Sequence, residues 1–484
     1  MGQAARLLTP DVSVHHRFGA ELRRWRQQRG LSQNALGRLV HASGDLIGKI
    51  EKAERWPGAE LARRCDHALD SGDALARLVP QLDQERRRKN TSPPAAAMSM
   101  PDPLDRFVAS ALPPTADRNG ADRRVIDLPA GSLFMATSLT AWYAPLVKQT
   151  RANVFTAPID LRAARPGDVL VAQDLDTERP RFFAAEARRR PPSGNEGIVI
   201  PAAYVVDDFA LGILWATRAV DDALHDDDRT LADAIDRLRQ SPPSHGSADL
   251  LADGLTATSE GWMGSFACAS FIGSQLDRVS GPPLFWTREQ RGEEAAAWLL
   301  FEHKLDYLRR LRNRFADRNT PMARVFCLPE PVLGPTAERT LLLLAAALME
   351  AMGVAVQVCG DLAYAAVEGF VLTPTGGVIV ANWLRSGRGW HGDVISCSAT
   401  ASAYQDAIGF GRAHNIVAAD DAAGRLQRLA EYLEIDWAWF TARAAQMYSA
   451  GVDGFVQPRS RLLSTAGMQI ACKYLAQVRG HQQP

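Results

Sequence analysis

The densest group of chemistry-bearing residues in the chain is a set of carboxylates, Asp221-Asp222 followed by Asp226-Asp227-Asp228. Gathered carboxylate oxygens are what a hard cation such as Ca²⁺ takes. Leu224, His225 and Arg229 interrupt the run, however, so it reads as a solvated helix terminus and loop, and no metal is expected. One glycine-rich spelling, Gly387-Arg388-Gly389-Trp390-His391-Gly392, has the G-x-G-x-x-G form of a phosphate cradle. A dinucleotide site needs that motif to follow a strand and open a helix, whereas here a hairpin precedes it and no clear helix opens at Gly392. The wider segment 385–393 offers two arginines and three glycines, either an anion-binding backbone nest or a plain loop. His391 with Cys397 or Cys359 has the residue types of a base and a nucleophile, but nothing in the spacing brings them together. Trp262, Trp286 and Trp390 stand in glycine- or proline-rich contexts and are the candidate pocket aromatics. G-x-S-x-G, H-E-x-x-H and G-x-x-x-x-G-K-S are missing. The six cysteines form no C-x-x-C pair, which argues against structural zinc and fits a reducing compartment. No catalytic residue and no cofactor is assigned.

These residues belong to a chain of 484 residues, 46 % hydrophobic and 23 % charged. That composition excludes wholesale disorder and leaves room for roughly two to four domains. The most apolar stretch, 341–349, is closed by Glu350 well short of the ~20 residues a bilayer requires. The N-terminal residues lack the apolar core of a signal peptide, so a cytoplasmic protein with no membrane partner is expected. Arginine far outnumbers lysine, as in products of GC-rich bacterial genomes. Residues 1–90 carry 17 Lys and Arg against 11 Asp and Glu, a surplus of six that the rest of the neutral chain offsets. A small basic head attached to a larger acidic body suggests a polyanionic partner for the head.

The segment 91–103 holds four prolines among Thr, Ser and Ala and can keep neither a helix nor a central strand. A domain at 15–85, a linker at 86–124 with a short helix near 104–112, and a body at 125–484 follow, with a subdomain break near 315. In the body, strands are expected at 168–172 and 197–201, and helices at 209–224, 230–239 and 293–312. A strand at 322–329, a helix at 336–352, a strand at 354–360 and a hairpin at 369–383 over Thr375-Gly376-Gly377 make an α/β unit suited to a parallel pair. Residues 421–478 read as helical.

The head is more legible. Phe18, Leu22 and Trp25 recur at i, i+4 and i+7, flanked by arginines, and Gly30 stands where a C-cap would. Ser32 caps a second helix with Ala35, Leu36, Leu39 and Val40 inward. A turn at His41-Ala42-Ser43 leads to a third helix, capped by Ser43, with Ile47 and Ile50 inward. Pro57 opens a fourth helix and Asp73 a fifth carrying Leu75, Leu78, Val79 and Leu82. Two short helices joined by a tight turn are a helix-turn-helix arrangement.

With Leu31-Ser32-Gln33, Leu36, Ser43, Ile47, Ile50 and Glu51 at matching places, 31–61 resembles the lambda-repressor-like (Xre/Cro-type) helix-turn-helix regulators over about 70 residues. The resemblance implies a phosphate contact at Gln33 and a recognition helix at 43–52, capped by Ser43, in the major groove. It turns Gly44, Asp45 and Lys49 toward base edges, where Lys49 suits guanine and Asp45 cytosine, and gives Lys52 and Arg55 to the backbone. Gly44 and Gly48 depart from the family pattern, each weakening a helix by about 0.5–1 kcal/mol, and Ala53 replaces a terminal glycine. A less rigid recognition helix and some reliance on DNA shape are therefore expected.

The whole reads as multidomain, an all-α five-helix lambda-repressor-like head plus a large mixed α/β C-terminal body. The expected function is a sequence-specific DNA-binding transcriptional regulator, a homodimer on double-stranded DNA, its body serving dimerisation or the sensing of a small-molecule or protein effector. Two other readings stay open: an enzyme carrying such a head, and a head that binds protein.

Overall fold

The computed structural model describes residues 14–40, 42, 44–52, 57, 59–72, 74–79, 82, 106–107, 123–128, 137–149, 153–155, 164–174, 181–189, 198–240, 246–249, 255–288, 292–315, 322–329, 334–383, 389–396 and 398–482. The chain divides into two units, Met1–Met100 and Pro101–Pro484.

In the first unit, α1 (Val14–Gln28), α2 (Gln33–Leu39), α3 (Gly44–Glu51) and α4 (Ala59–Leu69) enclose one core of Phe18, Leu22, Leu36, Val40, Ile47, Ile50, Cys65 and Leu69. Gly30 ends α1 at φ +66°, with its N–H on Gln27 and that of Leu31 on Arg26, the paired bonds of a Schellman cap. Ser32 accepts from the Ala35 N–H at 3.1 Å and so caps α2. Leu39, expected inward, is 56 % exposed. The helix stops there, and Val40, already off helical geometry at φ −105°, takes the core position instead. At the expected fifth helix the described residues show a 3-10 turn, Ala76–Leu78, followed by Val79 and Leu82 in helical conformation. The buried Asp66 carboxylate takes the N–H groups of Leu75 (3.0 Å) and Ala76 (2.7 Å) and starts that turn. Leu75, Leu78, Val79 and Leu82 are buried as expected.

Most of 86–124 lies outside the described residues; Arg106 and Phe107 are helical. The second unit opens with β1 (Arg123–Leu128), β2 (Thr137–Gln149), β3 (Asn153–Phe155), β4 (Val169–Asp174), β5 (Arg181–Glu186) and β6 (Ile198–Val199). Their sheet runs β5-β4-β2-β3-β6 with β1 beside β2, and its β2–β4 pair is parallel. Next come α5 (Asp208–Asp226), α6 (Asp228–Gln240), β7 (Gly246–Asp249), α7 (Ala257–Leu276), β8 (Leu284–Thr287), α8 (Gly292–Leu300) and α9 (Glu302–Phe315). The expected single helix at 293–312 is therefore two, because Phe301 steps out to bridge Leu463 while Ser464 N–H reaches the Leu300 carbonyl at 2.8 Å. Then β9 (Met322–Cys327), α10 (Thr336–Ala351) and β10 (Val354–Cys359) form the anticipated strand–helix–strand, its strands parallel. β11 (Phe370–Leu372) and β12 (Val378–Trp383) make the hairpin, turned by Gly376 at φ +86°. β13 (Gly389–Ile395), α11 (Ser398–Ala413), α12 (Ala422–Tyr432), α13 (Trp437–Ala450), α14 (Val452–Phe455) and α15 (Ala466–Gln482) complete the chain.

The second sheet has the order β10-β9-β8-β11-β12-β13-β7. Its side chains separate with the strand period of two. Phe285, Met322, Phe326, Val356 and Ile379 join the main helical core, whereas Trp286, Val325, Cys327, Phe370 and Val380 pack with Ala401, Ala407 and Ile408 of α11. Leu311 and Met322, on either side of residue 315, share the main core.

The carboxylate run is a solvated helix terminus only in its second half, where Asp226 ends α5 exposed. Asp221 is fully buried, bound by Arg459 Nε at 2.8 Å and by the N–H groups of Arg459 and Ser460 at 2.7 and 2.8 Å. Asp222 pairs with Arg218 at 3.0 Å and accepts from Thr137 at 2.7 Å, and Asp227 accepts from Thr256 N–H and Oγ1, both at 2.9 Å. Every oxygen so used is withdrawn from cation binding. Two similar locks, Asp207–Arg443 at 2.6 Å and Glu350–Arg425 at 2.7 Å, also tie early elements to late ones.

Candidate nucleic-acid interface

The third helix is held from behind by one buried carboxylate. Ile47, Ile50 and Glu51 fall on the same inward face of α3, and Glu51 is fully buried. Its oxygens take a forked pair of bonds from Arg26 of α1, Nε to Oε1 at 2.5 Å and Nη2 to Oε2 at 2.9 Å. Gln33 Nε2 of α2 donates to Oε2 at 2.8 Å, and Arg23 Nη2 reaches the Glu51 carbonyl at 2.9 Å. The bond to Glu51 raises the Arg26 pKa above the ordinary guanidinium value, so the pair stays ionic. Arg26 also donates to the Leu31 carbonyl at 2.7 Å, which fixes the turn into α2. One side chain thus joins three helices.

Glycines then let the helices close. A Cβ on Gly19 would lie 2.7 Å from the Ile50 carbonyl oxygen, so α1 crosses α3 at backbone contact. The side-chain direction at Gly44 is filled by Asn34, whose Cα would be 2.9 Å away, and Gly48 lies beneath the Gln33 amide. The two α3 glycines are therefore close-packing positions against α2, which explains their departure from the family pattern.

The outward side of α3 presents Lys49 and Lys52, both exposed, and Asn34 and Arg38 of α2 are exposed as well. Gly44 offers a groove only its backbone. Asp45 lies on α3, four residues before Lys49 and hence on the same face; its side chain, like the whole of Ser43 and Arg55, is outside the described residues. Sequence reasoning placed Glu51 in a motif without giving it a task. The signal was a charged residue at an inward spacing beside Ile50.

Residues 17–79 match the family model described as Helix-turn-helix domain. Fold and match agree: the head is a helix-turn-helix domain, the mark of a DNA-binding regulator. No curated protein and no solved structure matches the chain.

The body's candidates scatter. Gly389, Trp390, His391 and Gly392 lie in strand β13, paired with β12 and β7, and 384–388 and Cys397 are outside the described residues. Cys359 is buried at the end of β10. Trp286 is a core residue stacked on Phe370, and Trp262 is buried against Phe266. A pair not foreseen is Ser265 Oγ with His303 Nε2, 2.9 Å apart. Among the described residues no group of three His, Cys, Asp or Glu could hold a metal, and no helix is long and apolar enough to cross a membrane.

Proposed function

We propose that the chain is a sequence-specific transcriptional regulator of the cytoplasm that binds double-stranded DNA as a homodimer, with the helix 43–52 in the major groove. The observation that carries this reading is the Glu51 clamp, which fixes α3 from its inward side and leaves Lys49 and Lys52 facing out. Lys49 and Asp45 read base edges, while Lys52 and Arg55 take phosphates. Gln33 uses one amide N–H on Glu51 and keeps a second for phosphate. Two heads reach successive major-groove segments about 34 Å apart, so the operator is an inverted repeat. The body dimerises or senses an effector and shifts the balance between head arrangements through differential binding.

The test begins with in vitro selection of an operator by the full chain, followed by affinity measurements across a salt series. Lys52→Ala weakens binding to all sequences and lowers the salt slope by about 1. Lys49→Ala costs about 1–3 kcal/mol and relaxes one base position. If neither Lys49→Ala nor Gln33→Ala weakens operator binding, the groove helix is misassigned.

The Ser265–His303 pair favours a second reading, an enzymatic body. A serine nucleophile needs its histidine oriented through the far nitrogen, and His303 Nδ1 has no partner among the described residues. The regulator is therefore preferred. Covalent labelling of Ser265 by a fluorophosphonate would reverse that preference.

A further inference from the structure

Two cations lie inside the body with no carboxylate beside them among the described residues. Arg324, on the core side of β9, is 5 % exposed, and Lys304, in the first turn of α9, is close enough for the two charges to repel. Lys304 Nζ sits 3.8 Å from the Trp298 ring centroid, and the Arg324 guanidinium lies 4.4 Å from that of Phe285 and 4.7 Å from that of Trp298. Arg324 Nη1 donates to Thr287 Oγ1 at 2.7 Å, and the guanidinium adjoins the Tyr307 hydroxyl. Among the described residues neither cation forms a salt bridge; the acidic groups acting on them are the Cys268 thiol and the Tyr307 phenol. Burial holds Tyr307 up at about 12, so it stays neutral and supplies no counter-charge. It brings Lys304 down to about 8, which leaves the ammonium protonated at neutral pH.

The unpartnered polarity extends one step along α9. His303 accepts or donates at Ser265 Oγ, and its ring stands edge-on to Trp262 and Phe266 at 4.9 and 5.5 Å. His303 Nδ1, Trp262 Nε1 and Arg324 Nε are all buried without a hydrogen-bond partner. Ser265 and Cys268, three apart, share one face of α7 and meet His303 and Lys304 in turn. Ser265, Phe266, Cys268, Thr287, His303 and Lys304 each retain partial exposure, so the edge of the cluster reaches the surface. Aromatic faces offset only part of the cost of desolvating two like charges. The missing component is an anion.

We propose that this cluster, formed by α7, the start of α9 and the β8–β9 pair, binds a small organic anion, with its negative group against Lys304 and Arg324 and its apolar part toward Phe266. Arg324 Nε, idle in the free protein, and the Lys304 ammonium are the donors. Carboxylates and phosphate monoesters share the required chemistry. The site belongs to the body alone, and the proposal stands whether or not the head binds DNA.

The test uses the full chain and three probes: inorganic phosphate, phenyl phosphate and benzoate. Calorimetric titration and thermal melting are run on wild type, Lys304→Met and Arg324→Met. Saturable binding of phenyl phosphate or benzoate is expected, at least tenfold tighter than to either variant, with inorganic phosphate weaker than phenyl phosphate. The preferred probe distinguishes a phosphate from a carboxylate ligand. Both variants should melt no lower than wild type without a probe, because methionine replaces an uncompensated charge at similar volume. A merely structural role predicts the opposite, a lower melting temperature. Failure of all three probes to bind wild type into the millimolar range, or equal affinity for wild type and both variants, would overturn the proposal.

Discussion

Gly44 and Gly48 are separated by one helical turn of α3, and alanine should act on them in opposite directions. At Gly44 the new methyl would run into Asn34, coming within 2.9 Å of its Cα as well as striking its side-chain oxygen. Rotating the Asn34 side chain removes the second conflict and not the first, so α2 and α3 must separate. Such overpacking costs about 1–3 kcal/mol, and Gly44, the first residue of the helix, gains little propensity in return. At Gly48 the methyl would lie 3.1 Å from Gln33 Oε1 and 3.5 Å from the rest of that amide, the movable end of a long side chain. A shift of a few tenths of an ångström suffices, and a mid-helix glycine-to-alanine change gains up to about 1 kcal/mol. Gly48→Ala should therefore be near neutral or mildly stabilising, with a gap of about 2 kcal/mol between the variants. Amide hydrogen exchange of α1–α4 in the full chain reads the head directly, and 2 kcal/mol corresponds to roughly 30-fold faster exchange in Gly44→Ala. Protection in Gly44→Ala equal to wild type, or a greater loss in Gly48→Ala, would refute the reasoning.

Glu51→Ala should destabilise the head by about 3–5 kcal/mol, since it strands Arg26, whose side chain is 11 % exposed. The double variant Arg26→Met with Glu51→Met should lose less than Glu51→Ala alone, measured by the same exchange experiment. In the body, burial lifts the Glu186 carboxyl to about 7 against an ordinary 4.5. The folded state therefore holds its proton to higher pH than the unfolded chain. Its contribution is most favourable below 4.5 and declines by about 3 kcal/mol as pH rises to 7. Melting temperature should fall across that window in wild type and much less in Glu186→Gln; parallel slopes would contradict the assignment.

The head was legible because its determinants are local. Ser32 and Gly30 act on backbone groups within five residues, and the stripe from Phe18 to Leu22 needs only helical spacing. What escaped was tertiary: the approach of Gly44 to Asn34, and Glu51 reaching back to Arg26. In the body, 322–383 could be read because a buried strand, an apolar helix and a Gly-Gly turn follow one another directly. The first half of the carboxylate run, Asp221-Asp222, was misread because its partner, Arg459, lies 237–238 residues away. The strand at Gly389–Ile395 was taken for a glycine loop because its pairing with β7 joins segments far apart in sequence.

The buried carboxylates among the described residues divide by how they are satisfied: Asp66, Asp168 and Glu186 by N–H and O–H groups, the others by arginines. In the head, Glu51 is matched by Arg26; in the body, Asp207, Asp221 and Glu350 are matched by Arg443, Arg459 and Arg425. Each of these is a carboxylate answered by an arginine from a distant element, and each fastens helices that the apolar core already brings together. Lys304 and Arg324 differ from these groups: both lie over the Trp298 ring with no carboxylate partner among the described residues. An arginine kept for packing alone would be better served by methionine, which fills similar volume without desolvating a charge. Negative charge from a bound ligand would offset what the aromatic faces and the Thr287 hydroxyl leave uncompensated.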